Sequence, residues 1–318
     1  MTQIFLDGVK EDRREKAEAE IKKILDTVFP DDEKNLVDSV DITDAFQEKI
    51  TGLVKENETN YDPHHEYGTA YAKTIPFIKK GKLAYAIILD GNSVGEWKDD
   101  QRIFRFATLA HESAHVADGF RRWLEIGNES FFARPSGKQG WLFHNALVIW
   151  EEYDANRLVA EILEDTAKEL GGKVRNDLIL RHAEELIVLL EGIHDFVKQS
   201  IRDFRFWKLN PTELCYKITS KICGILILCA YTFATVNPSN QVNEEMADTG
   251  KLEGYQFLLS AHWPKIQSTL DELYLDRKRY RPDLIEKISR EIDEIVRQCG
   301  LEISDAAEGF YLDVRDIE

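Results

Sequence analysis

A run of fifteen residues, Ile222 to Val236 (ICGILILCAYTFATV), carries no charge, and the next charged residue downstream is Glu244. A segment this apolar has to be kept from water. It falls short of the roughly 20 residues that span a bilayer, and Asn237-Pro238 ends it abruptly. It therefore predicts a helix buried on all sides at the centre of a helical domain. Eighteen glycines and eight prolines in 318 residues fall below the usual combined share of roughly 12%, and sparse punctuation of this kind favours long helices. A hydrophobic share of 43% supplies enough apolar surface for packed cores,.

Charge and cysteine usage narrow the function classes. Lys and Arg number 41 against 58 Asp and Glu, a net charge of −17. Phosphate backbones and anionic lipid both select a basic surface, so neither a nucleic-acid nor a membrane partner is expected. The four cysteines form no C-x-x-C pair, and MTQIFLDGVKEDRREK has no apolar leader core. Together these predict a reducing, cytoplasmic setting.

Periodicity predicts helices over residues 8–29 and 44–56, the second opened by an Asp44/Gln47 capping box,. Residues 57–81 read as irregular and contain His64-His65. Lys82–Asp90 (KLAYAIILD) is the best strand candidate,. A helix follows over about 99–119, then a loop over 127–140. From His144 onward the pattern reads as helical: 145–170, 176–206, 210–236 with Asn210 as N-cap and Pro211 at the first position, 241–260, 263–275 and 282–299,. The expected fold class is mainly helical α+β. A segment at 1–60, a domain at 61–172 with a short β-sheet, and a helical bundle at 173–318 make up the expected organisation.

The helix at 99–119 contains His111-Glu112-Ser113-Ala114-His115, an H-E-x-x-H. Residues i and i+4 of a helix lie about 40° apart on one face. Two imidazoles placed there can reach one zinc, with the intervening carboxylate beside them as general base. The flanking Phe104, Phe106, Ala107, Leu109 and Ala110 make this a buried helix. Imidazoles and a carboxylate in such surroundings are costly unless something pairs them. The positions three and six residues past His115 hold Asp118 and Arg121, so the extended metzincin pattern fails,. The first cysteine is Cys215, so no Cys precedes the motif. A Glu on the following helix remains for the third ligand.

FRFATLAHESAHV (104–116) resembles the R-F-T-x-A-H-E-L-G-H core of the ImmA/IrrE family of zinc peptidases, and EEYDANRLVAEIL (151–163) is similar to that family's E-x-E-A-N-x-F-A-A-x-L-L helix. The resemblance covers roughly residues 60–170. It implies a minimal zincin core, one Zn2+ and hydrolysis of a specific intracellular protein. By motif, His111, His115 and Glu152 are its metal ligands and Glu112 its general base. It also puts Lys82–Asp90 at the active-site edge strand. That run is apolar, short and next to the active helix, so substrate is expected to bind as an extended strand along Leu83–Leu89, with Leu83, Tyr85 and Ile87 in contact,. The helix pattern favours Glu152 over Glu151 as well. The stripe Val148, Glu152, Ala155, Val159, Ile162 is apolar apart from the glutamate, whereas Leu147, Glu151, Asp154, Leu158, Glu161 is mixed and reads as more solvent-facing,. Asn156, one turn on, is positioned to accept a ligand-histidine N–H. Tyr153 and His144 are candidate transition-state stabilisers. The chain is thus expected to be a zinc metalloprotease. The alternative is a helical interaction protein with a structural or inactive zinc site, which four protein ligands and no water would mark.

Overall fold

The computed structural model describes residues 2–29, 34–56, 71–98, 101–133, 136–170, 174–235, 249–307 and 309–317. The chain divides into two compact units. One comprises Met1–Arg134, Glu161–Leu163 and Lys278–Tyr280; the other comprises Pro135–Ala160, Glu164–Arg277 and Arg281–Glu318. The main boundary between these units falls before the long helix that follows the H-E-x-x-H. Mainly helical α+β describes the whole.

The first unit holds β1 (Gln3–Phe5), α1 (Arg14–Val28), β2 (Val37–Thr43), α2 (Phe46–Glu56), β3 (Ala72–Lys79), β4 (Lys82–Asp90), the short α3 (Gly91–Val94) and α4 (Arg102–Phe131). Its sheet runs in the order β1-β2-β4-β3, with β1, β2 and β4 parallel and β3 antiparallel to β4. Lys80 and Gly81 join β3 to β4, both at positive φ (52° and 76°). A two-residue hairpin turn takes this form because its twist matches that of the strands. α2 covers one sheet face, where Ile50 packs with Ile75 and Ile88. α4 covers the other, where Gly119 lies under Tyr85; a Cβ on Gly119 would stand 2.4 Å from the Tyr85 hydroxyl oxygen.

β4 is the interior strand of this sheet, which corrects its expected place at the edge. Both of its backbone edges are consumed by the ladders to β2 and β3. Leu83, Tyr85 and Ile87 are buried, Tyr85 to 2% exposure beneath α4. They form core and cannot line a substrate groove. KLAYAIILD carried the signal: its apolar run does not alternate, as befits a strand covered on both faces. β1, β2 and β3 went unread because each is short or interrupted by polar residues. Asp41 in β2, for instance, is buried because Lys49 (2.8 Å) and Ser39 Oγ (2.8 Å) pair with it.

The second unit holds α5 (Gly137–Leu170), α6 (Val174–Glu191), α7 (Ile193–Arg205), α8 (Pro211–Thr235), α9 (Glu253–Leu258), α10 (Trp263–Leu275), α11 (Pro282–Gln298) and an antiparallel pair, β5 (Leu301–Asp305) and β6 (Phe310–Val314). The hairpin corrects the all-helical reading of this half, and Gly192 splits the helix expected over 176–206. The α8 start matches its sequence signal: Asn210 Oδ1 accepts from Glu213 N (2.9 Å), and Glu213 Oε2 accepts from Asn210 N (2.8 Å). Such a reciprocal capping box satisfies two helix-end donors. No residue from Lys217 to Ala234 is exposed. Ile218, Ile222, Ile225, Leu226 and Ala230 sit at the centre of the unit's core. Among the described residues α8 is the one helix long and apolar enough to cross a membrane, and 56% of its most apolar window is buried within the protein.

α7 ends in a Schellman motif. Lys208 N donates to Asp203 O and Trp207 N donates to Phe204 O, both at 2.9 Å. Trp207 therefore occupies the left-handed position that glycine usually fills, with φ at 59°,. Its side chain is 93% exposed, so no packing offsets the strain. Trp207→Gly is expected to raise the unfolding free energy by about 0.5–1 kcal/mol, strain relief outweighing the entropy glycine adds to the unfolded chain. Trp207→Ala, which keeps the strain, should not. Urea unfolding of the three proteins checks this.

Candidate metal centre

α4 carries the H-E-x-x-H through its buried middle. Ala107, Leu109, Ala110, Ala114 and Val116 face the core of the first unit. On the remaining face His111 and His115 stand one turn apart and half-buried, their rings edge to face with centroids 4.6 Å apart. Their Nε2 atoms are 3.0 Å apart. Two nitrogens bound at 2.0–2.1 Å to one tetrahedral ion stand about 3.3 Å apart. The pair is thus set close to the separation that a shared zinc requires.

Glu112 is only 8% exposed and lies on the sheet side of α4. Thr74 of β3 reaches it twice: its Oγ1 lies 2.7 Å from Glu112 Oε2 and 2.9 Å from the Glu112 carbonyl oxygen. The one hydroxyl proton serves both acceptors. The sequence reading missed Thr74 because residues 57–81 read as irregular. The available signal was the Lys80-Gly81 turn, which makes a strand on one side imply its partner on the other.

Glu152 and its neighbours belong to the second unit, on α5. Glu152 is half-buried. Asn156 Nδ2 donates to the Glu152 carbonyl oxygen at 2.8 Å, which commits its amide nitrogen to its own helix. Tyr153 is built into the interior. Its hydroxyl donates to Asp271 Oδ1 (2.7 Å) and accepts from Arg157, which also pairs with Asp271. Burial, reinforced by the bond to Asp271, raises the Tyr153 pKa well above that of an ordinary phenol. The Tyr153 hydroxyl is therefore occupied in holding α5 to α10. Asp154 corrects the reading of its stripe as solvent-like: it is 1% exposed and gripped by Arg277 through two contacts of 2.8 Å. His144 is exposed on the first turns of α5. His64 and His65 lie outside the described residues.

All four cysteines are free thiols. Burial pushes Cys215 up to about 11 and Cys299 up to about 12, and raises Cys229 further. These three are protonated at neutral pH, the wrong state for a nucleophile or metal ligand.

No family model matches this chain, and neither a curated protein nor a solved structure similar to it was found.

Proposed function

We propose that this chain is a cytoplasmic zinc metalloendopeptidase that cleaves a protein substrate. The observation that carries the reading is the His111/His115 Nε2 pair on α4, 3.0 Å apart beside the buried carboxylate of Glu112. Glu152 is proposed as the third ligand. A donor set of two imidazoles and one carboxylate is that of a catalytic zinc, because it leaves a fourth position open.

Bound zinc supplies Lewis acidity and lowers the pKa of a coordinated water toward 7. The remaining roles fall to the chain. His111 and His115 fix the ion against α4. Glu112 takes up the proton released as water attacks the peptide carbonyl, and can return it to the leaving amine. Among the described residues β3 is the terminal strand of the sheet, and it holds Thr74 against Glu112. An extended segment added along its outer edge would run beside that carboxylate. Free thiols throughout accord with a reducing compartment,.

Elemental analysis of protein purified in metal-scrubbed buffers tests the site. Near-stoichiometric zinc is expected in the wild type and loss of it in the His111→Ala/His115→Ala double variant. Equal zinc in both would refute the centre.

A further inference from the structure

We propose that Thr74 is a positioning residue for Glu112, fixing which oxygen of the general base is presented to the reacting water. The inference rests on the metallopeptidase reading above and extends it to a residue outside the H-E-x-x-H. Glu112 has three rotatable side-chain bonds and, on a helix packed against a sheet, more than one way to place its carboxylate. Thr74 removes that freedom. It is β-branched, so its own rotamer is stiff. It sits on the edge strand directly opposite Ile87 in the register, and its hydroxyl grips both the backbone oxygen and Oε2 of the same residue, at 2.9 and 2.7 Å. Anchoring to the Glu112 carbonyl ties the hydroxyl to the helix itself, so the carboxylate is referenced to the same turn that carries His111 and His115. With Oε2 engaged, Oε1 is the oxygen left to face the reacting water.

A bond from strand to helix could serve packing alone, so the test needs a readout that packing does not move. Acetohydroxamic acid is a suitable probe. It would bind zinc as its anion with one oxygen beside Glu112, so its affinity reports how that carboxylate is placed. Zinc-loaded wild type, Thr74→Val, Thr74→Ala and Thr74→Ser are titrated calorimetrically, with zinc content and thermal unfolding measured in parallel. Val and Ala are expected to keep wild-type zinc stoichiometry and to bind the hydroxamate about tenfold more weakly, the scale of one lost hydrogen bond to a charged group. Ser, which restores the hydroxyl, is expected to recover affinity to within about twofold. If Thr74→Val does not fold, Ala and Ser carry the comparison. Zinc and hydroxamate binding that is normal in the wild type and unchanged in the Val or Ala variant would overturn the role of Thr74 while leaving the metallopeptidase reading intact. So would a Ser variant as weak as Ala. A wild type that binds no zinc ends both.

Discussion

Glu112→Gln is expected to retain zinc and fold while losing peptide hydrolysis by a factor of about 10²–10⁴. The amide matches the carboxylate in shape, and its oxygen can still accept the Thr74 hydroxyl that now reaches Oε2 at 2.7 Å. It cannot take a proton from water. The variant is therefore a clean probe of the base, because it leaves no cavity and no orphaned donor on β3. Comparing newly formed protein N-termini in cells expressing wild type or Glu112→Gln would both find the substrate and measure the loss. Cleavage products that persist at equal abundance in the variant would rule out Glu112 as the base. Since the Gln variant should still hold its substrate, it is also the form to use for capturing an enzyme–substrate complex.

Substitution of Glu152 is expected to have the second large effect. Glu152→Ala should weaken zinc binding by more than about a hundredfold, beyond the loss usual for a group that merely orients a ligand. Glu151→Ala should leave affinity nearly unchanged. Adjacent helical residues project about 100° apart, so only one of the two can address a given ion. Within the second unit α5 is held at this point by Asp154, which Arg277 grips at 2.8 Å, and by Tyr153, bonded to Asp271. These anchors on the two following residues set the rotation of the helix and hence the direction in which Glu152 projects. Competition against a chelator of known affinity separates the two variants. The reverse ranking, or no change from either, would show that the third ligand lies elsewhere.

How much could be read from the sequence depended on how far each signal was local. The H-E-x-x-H needed only helical periodicity and a buried flank, and α4 carries both. The N-cap at Asn210 followed by Pro211 is written in adjacent residues and was legible for that reason, while its reciprocal partner Glu213 came from the structure. Trp263–Leu275 also followed directly from its pattern. What failed were statements about neighbours. Whether β4 lies at an edge depends on β2, more than forty residues upstream, and on β3, whose Pro76 and flanking lysines hide its alternation. The β5–β6 hairpin was lost among helices because its strands are five residues each. Asp154 read as a surface residue because nothing in its own helix announces Arg277, 123 positions away.

The uncharged stretch of α8 has a consequence for the chain before it folds. In the finished unit Ile222, Ile225, Leu226 and Ala230 are hidden completely. Several of the partners that hide them, among them Trp263, Ile266, Leu284 and Ile288, follow α8 in the sequence. During synthesis α8 therefore leaves the ribosome before those partners exist. For that interval the chain displays an apolar segment without a single charge, of the kind that chaperones and membrane-insertion machinery both select. Variants that delay closure of the C-terminal helices should accordingly suffer in yield and aggregation rather than in chemistry, even though they lie outside the H-E-x-x-H helix.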